Sequence, residues 1–144
     1  MSAADDDGRA RRDEARRWLA VADRDLAAAV ACLAGDPPLP EPAAYHRQQA
    51  VEKLIKGPLV LAGVGFRRTH DLREPTLQAA PLHPNLEAAM RELTWLTVWG
   101  FAYRYPMEEA EDRPPTADEV RRVADQIREL REAVAERVGV SPAG

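Results

Sequence analysis

Lysine is nearly absent from this chain. Of its 20 Lys and Arg residues only Lys53 and Lys56 are lysine, and the other eighteen are arginine. The two lysines stand three positions apart in one short stretch. Because a lysine ammonium is a compact point charge and an arginine guanidinium is a planar fork, the two are not interchangeable. The confinement of lysine to this stretch therefore indicates a candidate site.

Side chains that often carry catalysis or bind metals are also scarce. The single cysteine, Cys32, excludes an internal disulfide and is typical of a small buried hydrophobe in a reducing cytoplasm. The only serines, Ser2 and Ser141, are terminal, which excludes a catalytic serine. Three histidines and one cysteine without paired spacing predict neither a metal site nor a cofactor.

Long hydrophobic runs are missing as well. The longest, from Pro58 to Phe66, is about half of the roughly 20 residues that span a bilayer. The acidic, polar N-terminus is unlike a secretory signal. We therefore expect a cytoplasmic protein without a membrane segment. A net charge of −4 and a pI near 5.4 argue against broad, non-specific nucleic-acid binding, although a local basic patch remains open.

No segment alternates as a strand does, and four segments repeat apolar residues at helical spacing. The length is that of one domain. These patterns predict an all-α fold, an antiparallel up-and-down four-helix bundle with four to five helices. We expect a capping box at Thr116 and a kink or early end at Gly57-Pro58. The predicted helices cover 11–33, 43–62, 85–103 and 116–139, within a single domain over 9–139, flanked by a disordered tail over 1–8 and a flexible tail over 140–144.

One face of the second predicted helix is polar. At 100° per residue, Gln49, Lys53 and Lys56 share it with Tyr45, His46 and Glu52. This face could receive an anion such as a nucleotide phosphate. It could equally be a solvated surface in which Glu52 and Lys56 form an ordinary i,i+4 pair. Spacing alone leaves both interpretations open.

The run from Arg67 to Leu72 reads Arg-Arg-Thr-His-Asp-Leu. Arg67 and Arg68 could grip a phosphate while Asp71 orients His70. Alternatively, Asp71 caps the following turn and His70 bonds nearby backbone. Arg104 lies at the end of the third predicted helix, where a cation suits the helix dipole and two tyrosines flank it.

These stretches together resemble a known family. Gln49-Ala-Val-Glu-Lys53 with Lys56, then Arg68-Thr-His-Asp-Leu72, then Ala102-Tyr-Arg-Tyr-Pro106 resemble the HEPN (higher eukaryotes and prokaryotes nucleotide-binding) domain over Arg17 to Val134. The resemblance implies a bundle of four or five helices that is commonly a homodimer. It also implies a minimal nucleotidyltransferase partner, in a toxin–antitoxin or nucleotide-handling pair.

The resemblance raises two functions. Many HEPN proteins cleave RNA with an Arg-x4–6-His motif, but no arginine precedes any histidine here by five to seven residues. We therefore expect a non-catalytic, dimeric binding module for a nucleotide or RNA. The alternative is a metal-independent ribonuclease, with His70 as acid and base and Arg68 and Arg104 stabilising the phosphorane. The predicted ligand-binding residues are Gln49, Lys53, Lys56, Arg67, Arg68, His70, Asp71 and Arg104.

Overall fold

The computed structural model describes residues 2–69, 71–100 and 114–139, and in these ranges it contains helices but no strand. The all-α prediction is confirmed. The helices form the predicted kind of bundle, with six α-helices and two 3₁₀ segments in the described residues. They are α1 Ala3–Ala34, α2 Pro40–Leu61, α3 Arg73–Ala79, α4 Glu87–Arg91, α5 Ala117–Arg122 and α6 Ala124–Val138, with 3₁₀ segments at Pro84–Leu86 and Thr94–Gly100.

Helix α1 begins earlier than its apolar stripe predicts. The Ser2 hydroxyl accepts from the Asp5 amide at 3.3 Å, and the Asp5 carboxylate accepts from the Ser2 amide at 3.3 Å. This capping box satisfies donors of the first turn and starts the helix at Ala3. Residues 3–8, which we predicted as part of a disordered tail, are therefore helical. The predicted tail over 140–144 lies outside the described residues.

Helices α1 and α2 pack closely as an antiparallel pair joined by the short loop 35–39. Small residues allow this approach: Ala15 and Ala22 of α1 are fully buried, and Gly57 of α2 faces the Ala15 backbone. A Cβ built on Gly57 would lie 3.6 Å from the Ala15 carbonyl oxygen. The close contact buries Leu54 and Ile55 of α2 completely.

Helix α2 continues through Pro58 to Leu61, so of the two alternatives predicted there, a kink or an early end, the early end is wrong. The Pro58 carbonyl accepts from the Ala62 amide at 3.1 Å and from Nε2 of buried His83 at 3.0 Å. Arg137 in turn donates from Nε to His83 Nδ1 at 3.2 Å. These bonds connect the proline turn to the rest of the bundle and support the helix where proline removes a backbone donor.

The continuous third helix predicted over 85–103 is wrong in its described part. The chain forms a 3₁₀ turn, the short helix α4 and a second 3₁₀ segment. Leu93, Leu96 and Trp99, three apart, are all buried, as the three-residue period of a 3₁₀ helix requires. The Thr94 hydroxyl also donates to the Arg91 carbonyl at 3.0 Å, a local bond that favours such a change of helix type.

The fourth predicted helix is divided at Val123 into α5 and α6. Its predicted ends are observed: the Thr116 hydroxyl accepts from the Glu119 amide at 3.2 Å, and Gly139 caps α6 with φ of 76°. Arg16 of α1 donates to the Val138 carbonyl at 3.1 Å and to that of Gly139 at 3.3 Å. These bonds join the last turn of α6 to α1.

Candidate functional site

A cavity of about 330 Å³ opens beside α1 and α2, and we call it the lysine cavity. It is built by the polar face of α2, by one aromatic residue of α1 and by the end of the loop over 62–69. Four of the eight predicted ligand-binding residues line it. The lining residues are Trp18, Gln49, Glu52, Lys53, Lys56, Arg68 and Thr69.

Lys53 is held in place by a carboxylate from α1. Its ammonium bonds one oxygen of Asp25, and the other Asp25 oxygen lies 2.9 Å from Nδ1 of His46. The Asp25 side chain is 13% exposed and that of Lys53 is 21% exposed, so the pair is largely shielded from water. Because one carboxylate serves two groups of α2, it fixes both of them against α1.

Lys56 lies deeper in the lysine cavity, with its side chain 10% exposed. Its ammonium donates to Glu52 at 2.8 Å and sits 4.9 Å from the centre of the Phe66 ring and 5.8 Å from that of Trp18. Trp18 and Phe66 meet edge to face at 5.7 Å. A cation against two aromatic rings is favourable in such a partly desolvated place.

Arg68 reaches the lysine cavity from the loop over 62–69. Gly63 starts this loop at φ of +72°, a conformation that favours glycine, and the Val64 amide donates to the Leu59 carbonyl at 3.0 Å. Among the described residues nothing bonds or pairs with the Arg68 guanidinium. Arg68 is exposed, and its five N–H donors remain available to a ligand that enters the cavity.

Two predicted site residues lie elsewhere. The Arg67 side chain is 81% exposed and pairs with Glu74 of α3 at 3.5 Å. Asp71 accepts from the Arg73 amide at 3.0 Å at the start of α3, which is the capping role considered as its alternative. This bond from the Arg73 backbone lowers the pKa of Asp71. Neither residue lines the lysine cavity, so the structure does not bring them together with Lys53 there.

A comparison with protein families matches residues 15–138 of the chain to the HEPN domain. The chain belongs to this family. The resemblance noted in the sequence is confirmed, and with it a broad relation to nucleotide and RNA handling. Comparisons with curated proteins and with solved structures gave no match.

In this HEPN domain two predicted site residues, His70 and Arg104, lie outside the described residues. Within the described part, no group of three His, Cys, Asp or Glu side chains is arranged to hold a metal ion. A search of the same residues for a helix long and apolar enough to cross a bilayer found none.

Two residues that the sequence analysis did not select also shape the lysine cavity. Asp25 bonds Lys53 of the lining, and this role depends on how α1 crosses α2. Trp18 is half-buried and forms a wall of the cavity. Trp18 and Asp25 stand seven residues apart, on nearly the same face of α1, but this spacing alone does not show what that face contacts.

The charges of the lysine cavity favour an anionic ligand. Lys53, Lys56 and Arg68 supply three cations, and Glu52 supplies one carboxylate within the lining. Each lysine already has a carboxylate partner, whereas Arg68 has none among the described residues. Arg68 is therefore the side chain best placed to make a charge-assisted bond to an incoming phosphate.

Proposed function

We propose that this HEPN protein is a non-catalytic binding module that receives a phosphate-bearing ligand, a nucleotide or RNA, in the lysine cavity. The observation that supports this proposal is the convergence of Lys53, Lys56 and Arg68 from two separate segments on one cavity. Lys53 and Lys56 are largely shielded there from bulk water, which strengthens their attraction for an anion, and Arg68 reaches the cavity from an exposed position on the loop.

The arrangement favours binding over cleavage of RNA. Of the described histidines, His83 has both ring nitrogens occupied by Pro58 and Arg137, and it is buried. The other, His46, is bonded to Asp25 and does not line the cavity. A histidine within reach of a bound phosphate is therefore missing from the described lining.

The ribonuclease alternative depends on His70 together with Arg68 and Arg104. Incubation of a short labelled RNA with the purified protein in EDTA tests this alternative directly. The binding proposal expects intact RNA. Cleavage that disappears in His70→Ala, while the variant keeps its thermal unfolding midpoint, would replace it with the ribonuclease.

We further propose that the module is a homodimer and works with a minimal nucleotidyltransferase, as in toxin–antitoxin pairs. The family resemblance supports the nucleotidyltransferase partner. Half-exposed apolar side chains support the dimer: Trp95 is 50% exposed and Val98 is 49% exposed, three apart in one 3₁₀ segment. Apolar surface of this kind on one side of a segment is typical of a contact with another chain.

Two adjacent arginines provide a matched test of the binding site. Arg68 lines the lysine cavity, whereas Arg67 points to Glu74 outside it. We expect Arg68→Ala to weaken binding of AMP and of a short RNA about 10- to 100-fold, since a hydrogen bond to a charged group contributes about 1.5–3 kcal/mol. Arg67→Ala should leave both affinities within about twofold.

Isothermal titration calorimetry would measure these affinities, and a change in the intrinsic tryptophan fluorescence, to which Trp18 of the cavity wall contributes with Trp95 and Trp99, gives a second signal. Circular dichroism should show the same helix content for both variants. Equal affinities for the wild-type protein, Arg68→Ala and a Lys53→Ala/Arg68→Ala double variant would remove the lysine cavity as the ligand site.

A further inference from the structure

Some exposed arginines of this molecule are paired with a carboxylate. Such pairs are Arg16 with Asp13, Arg67 with Glu74, Arg91 with Glu87, Arg121 with Asp118, and Arg128 with Asp125. Others, Arg12, Arg24 and Arg122 among them, have no ion-pair partner in the described residues. Arg11, Arg17 and Arg68 are also unpaired there and lie close to Trp18, so their charges remain available on this side to an external anion.

Arg11 extends this free charge beyond the lysine cavity. It stands seven residues before Trp18, which places it about 10 Å away along α1 and within about 20° on the same face. Its guanidinium lies against the loop over 62–69, because a Cβ on Gly63 would approach Arg11 Nη1 to 3.0 Å. The same loop carries Arg68 into the lysine cavity.

Trp18 lies between these two positive positions. Its ring lines the lysine cavity and also borders a second hollow, which Arg17 and Val21 line on the outer side of α1. A half-buried indole offers a surface on which any of the nucleobases can stack. Along this side of the molecule the Arg68 cation is therefore followed by the Trp18 ring and then by the Arg11 cation.

We propose that Arg11 is a second phosphate-binding position and that the ligand is a single strand of nucleic acid longer than one nucleotide. One phosphate occupies the lysine cavity beside Arg68, a base stacks on Trp18, and a neighbouring phosphate lies at Arg11. Arg11 and Trp18 stand about 10 Å apart along α1, so a strand whose base stacks on Trp18 reaches Arg11 with a phosphate further along the chain. This inference rests on the proposed function, because it requires the lysine cavity to hold a phosphate.

Arg12 is the matched control for Arg11. It is the next residue, it is also exposed, and it has no ion-pair partner among the described residues, but it lies about 120° around α1 from Trp18. The probes are AMP and a 5′-phosphorylated single-stranded RNA of four adenosines. We expect the wild-type protein to bind the tetranucleotide at least tenfold more tightly than AMP.

Arg11→Ala should reduce this preference about fivefold or more and leave the affinity for AMP unchanged. It should also lower the slope of log affinity against log salt concentration by about 0.7, the value for one phosphate contact on a single strand. Arg12→Ala should change neither quantity. Arg11→Lys keeps the charge and should restore most of the preference.

Several results would overturn the inference while leaving the proposed function in place. They are equal affinities of the wild-type protein for AMP and the tetranucleotide, equal losses in Arg11→Ala and Arg12→Ala, and a fall in AMP affinity in Arg11→Ala, which would show that the loop had moved. Failure of the wild-type protein to bind either probe would instead remove the proposed function, and the inference with it.

Discussion

A single carboxylate, that of Asp25, organises the outer end of the lysine cavity. It bonds His46 and Lys53, which stand seven residues apart on α2, and it belongs to a different helix. Lys53 therefore cannot swing freely toward solvent, as a surface lysine would. This geometry presents its ammonium in a fixed position, which lowers the entropy that a bound anion would otherwise have to remove.

The Asp71 carboxylate makes a backbone hydrogen bond that changes its own pKa. It accepts from the Arg73 amide at 3.0 Å and lies 3.3 Å from Arg73 Nε. The backbone bond to Arg73 is the main cause that lowers its pKa below the ordinary value of about 3.9. A lowered folded-state pKa stabilises the protein above about pH 4 and loses that contribution as the pH falls through the folded value.

The first prediction follows from this bond. Asp71→Ala should lower the free energy of unfolding by about 0.5–1 kcal/mol at pH 7, the usual effect of losing a capping side chain. The difference between the two proteins should shrink below about pH 4, as the wild-type carboxyl group becomes protonated. Urea unfolding at pH 7 and at pH 3 measures both values. A difference that is equal at the two pH values would contradict the assigned cause.

At the scale of elements, α2 is the helix on which the fold and the site both depend. Its buried polar residues include Gln48, Glu52 and Lys56, in addition to an apolar core face. Arg47 is also buried, donates to the Val120 carbonyl of α5, and has its pKa lowered mainly by burial. Polar groups can be enclosed in this way because each of them has a partner within the protein.

Gly57 and Gly63 allow the effect of an added side chain on packing to be tested separately from its effect on backbone conformation. A Cβ added to Gly57 would meet the Ala15 carbonyl at 3.6 Å and the Trp18 Cβ at 3.7 Å, which are ordinary contacts. Gly57→Ala should therefore stabilise the protein by about 0.5–1 kcal/mol through higher helix propensity. Gly63→Ala should destabilise it by about 1–2 kcal/mol, since Gly63 has φ of +72°.

Thermal and urea unfolding of both glycine variants would test this contrast. Gly57 follows Lys56 of the lysine cavity and Gly63 starts the loop that carries Arg68, so the affinity for AMP serves as a control on local damage. Loss of stability in Gly57→Ala would show that α1 and α2 pack more tightly than the observed contacts indicate.

The sequence predicted some helices correctly and others not, and the difference has a physical reason. The hydrophobic period located α1, α2 and α6 because each buries one long stripe. It failed over 85–100, where Leu93, Leu96 and Trp99 are compatible with both an α-helix and a 3₁₀ helix. Only the packing of this segment against α2 and the local bonds of its threonines decide between them.

At the scale of the whole molecule, the candidate site was predictable only in part. Helical period places Gln49, Lys53 and Lys56 on one face, and the structure agrees. The same reasoning could not separate Arg68 from Arg67, because neighbouring residues in a loop have no fixed direction. Asp25 was unpredictable for a similar reason, since the way two helices cross is set by their complete contact surface.

The proposed homodimer leads to a prediction at this scale. Trp95→Glu should raise the dimer dissociation constant about 100-fold or more, because it places a charge in an aromatic contact. Val30→Glu is the matched control: Val30 is 60% exposed on α1, more than the 50% of Trp95. Sedimentation velocity over a concentration series measures both variants. A monomeric wild-type protein, or equal dissociation of the two variants, would reject this face as the contact.

The bonds from Arg16 to the carbonyls of Val138 and Gly139 join positions 122 and 123 residues apart. The family match covers residues 15–138, so these bonds place the two ends of the matched domain next to each other in space. A circular permutant that links Gly139 to Ala15 through a few glycines, and opens the chain in the loop over 35–39, would keep every helix of the bundle, with α1 shortened so that it starts at Ala15. Fluorophores placed near these two positions would then report unfolding of the domain as a loss of energy transfer.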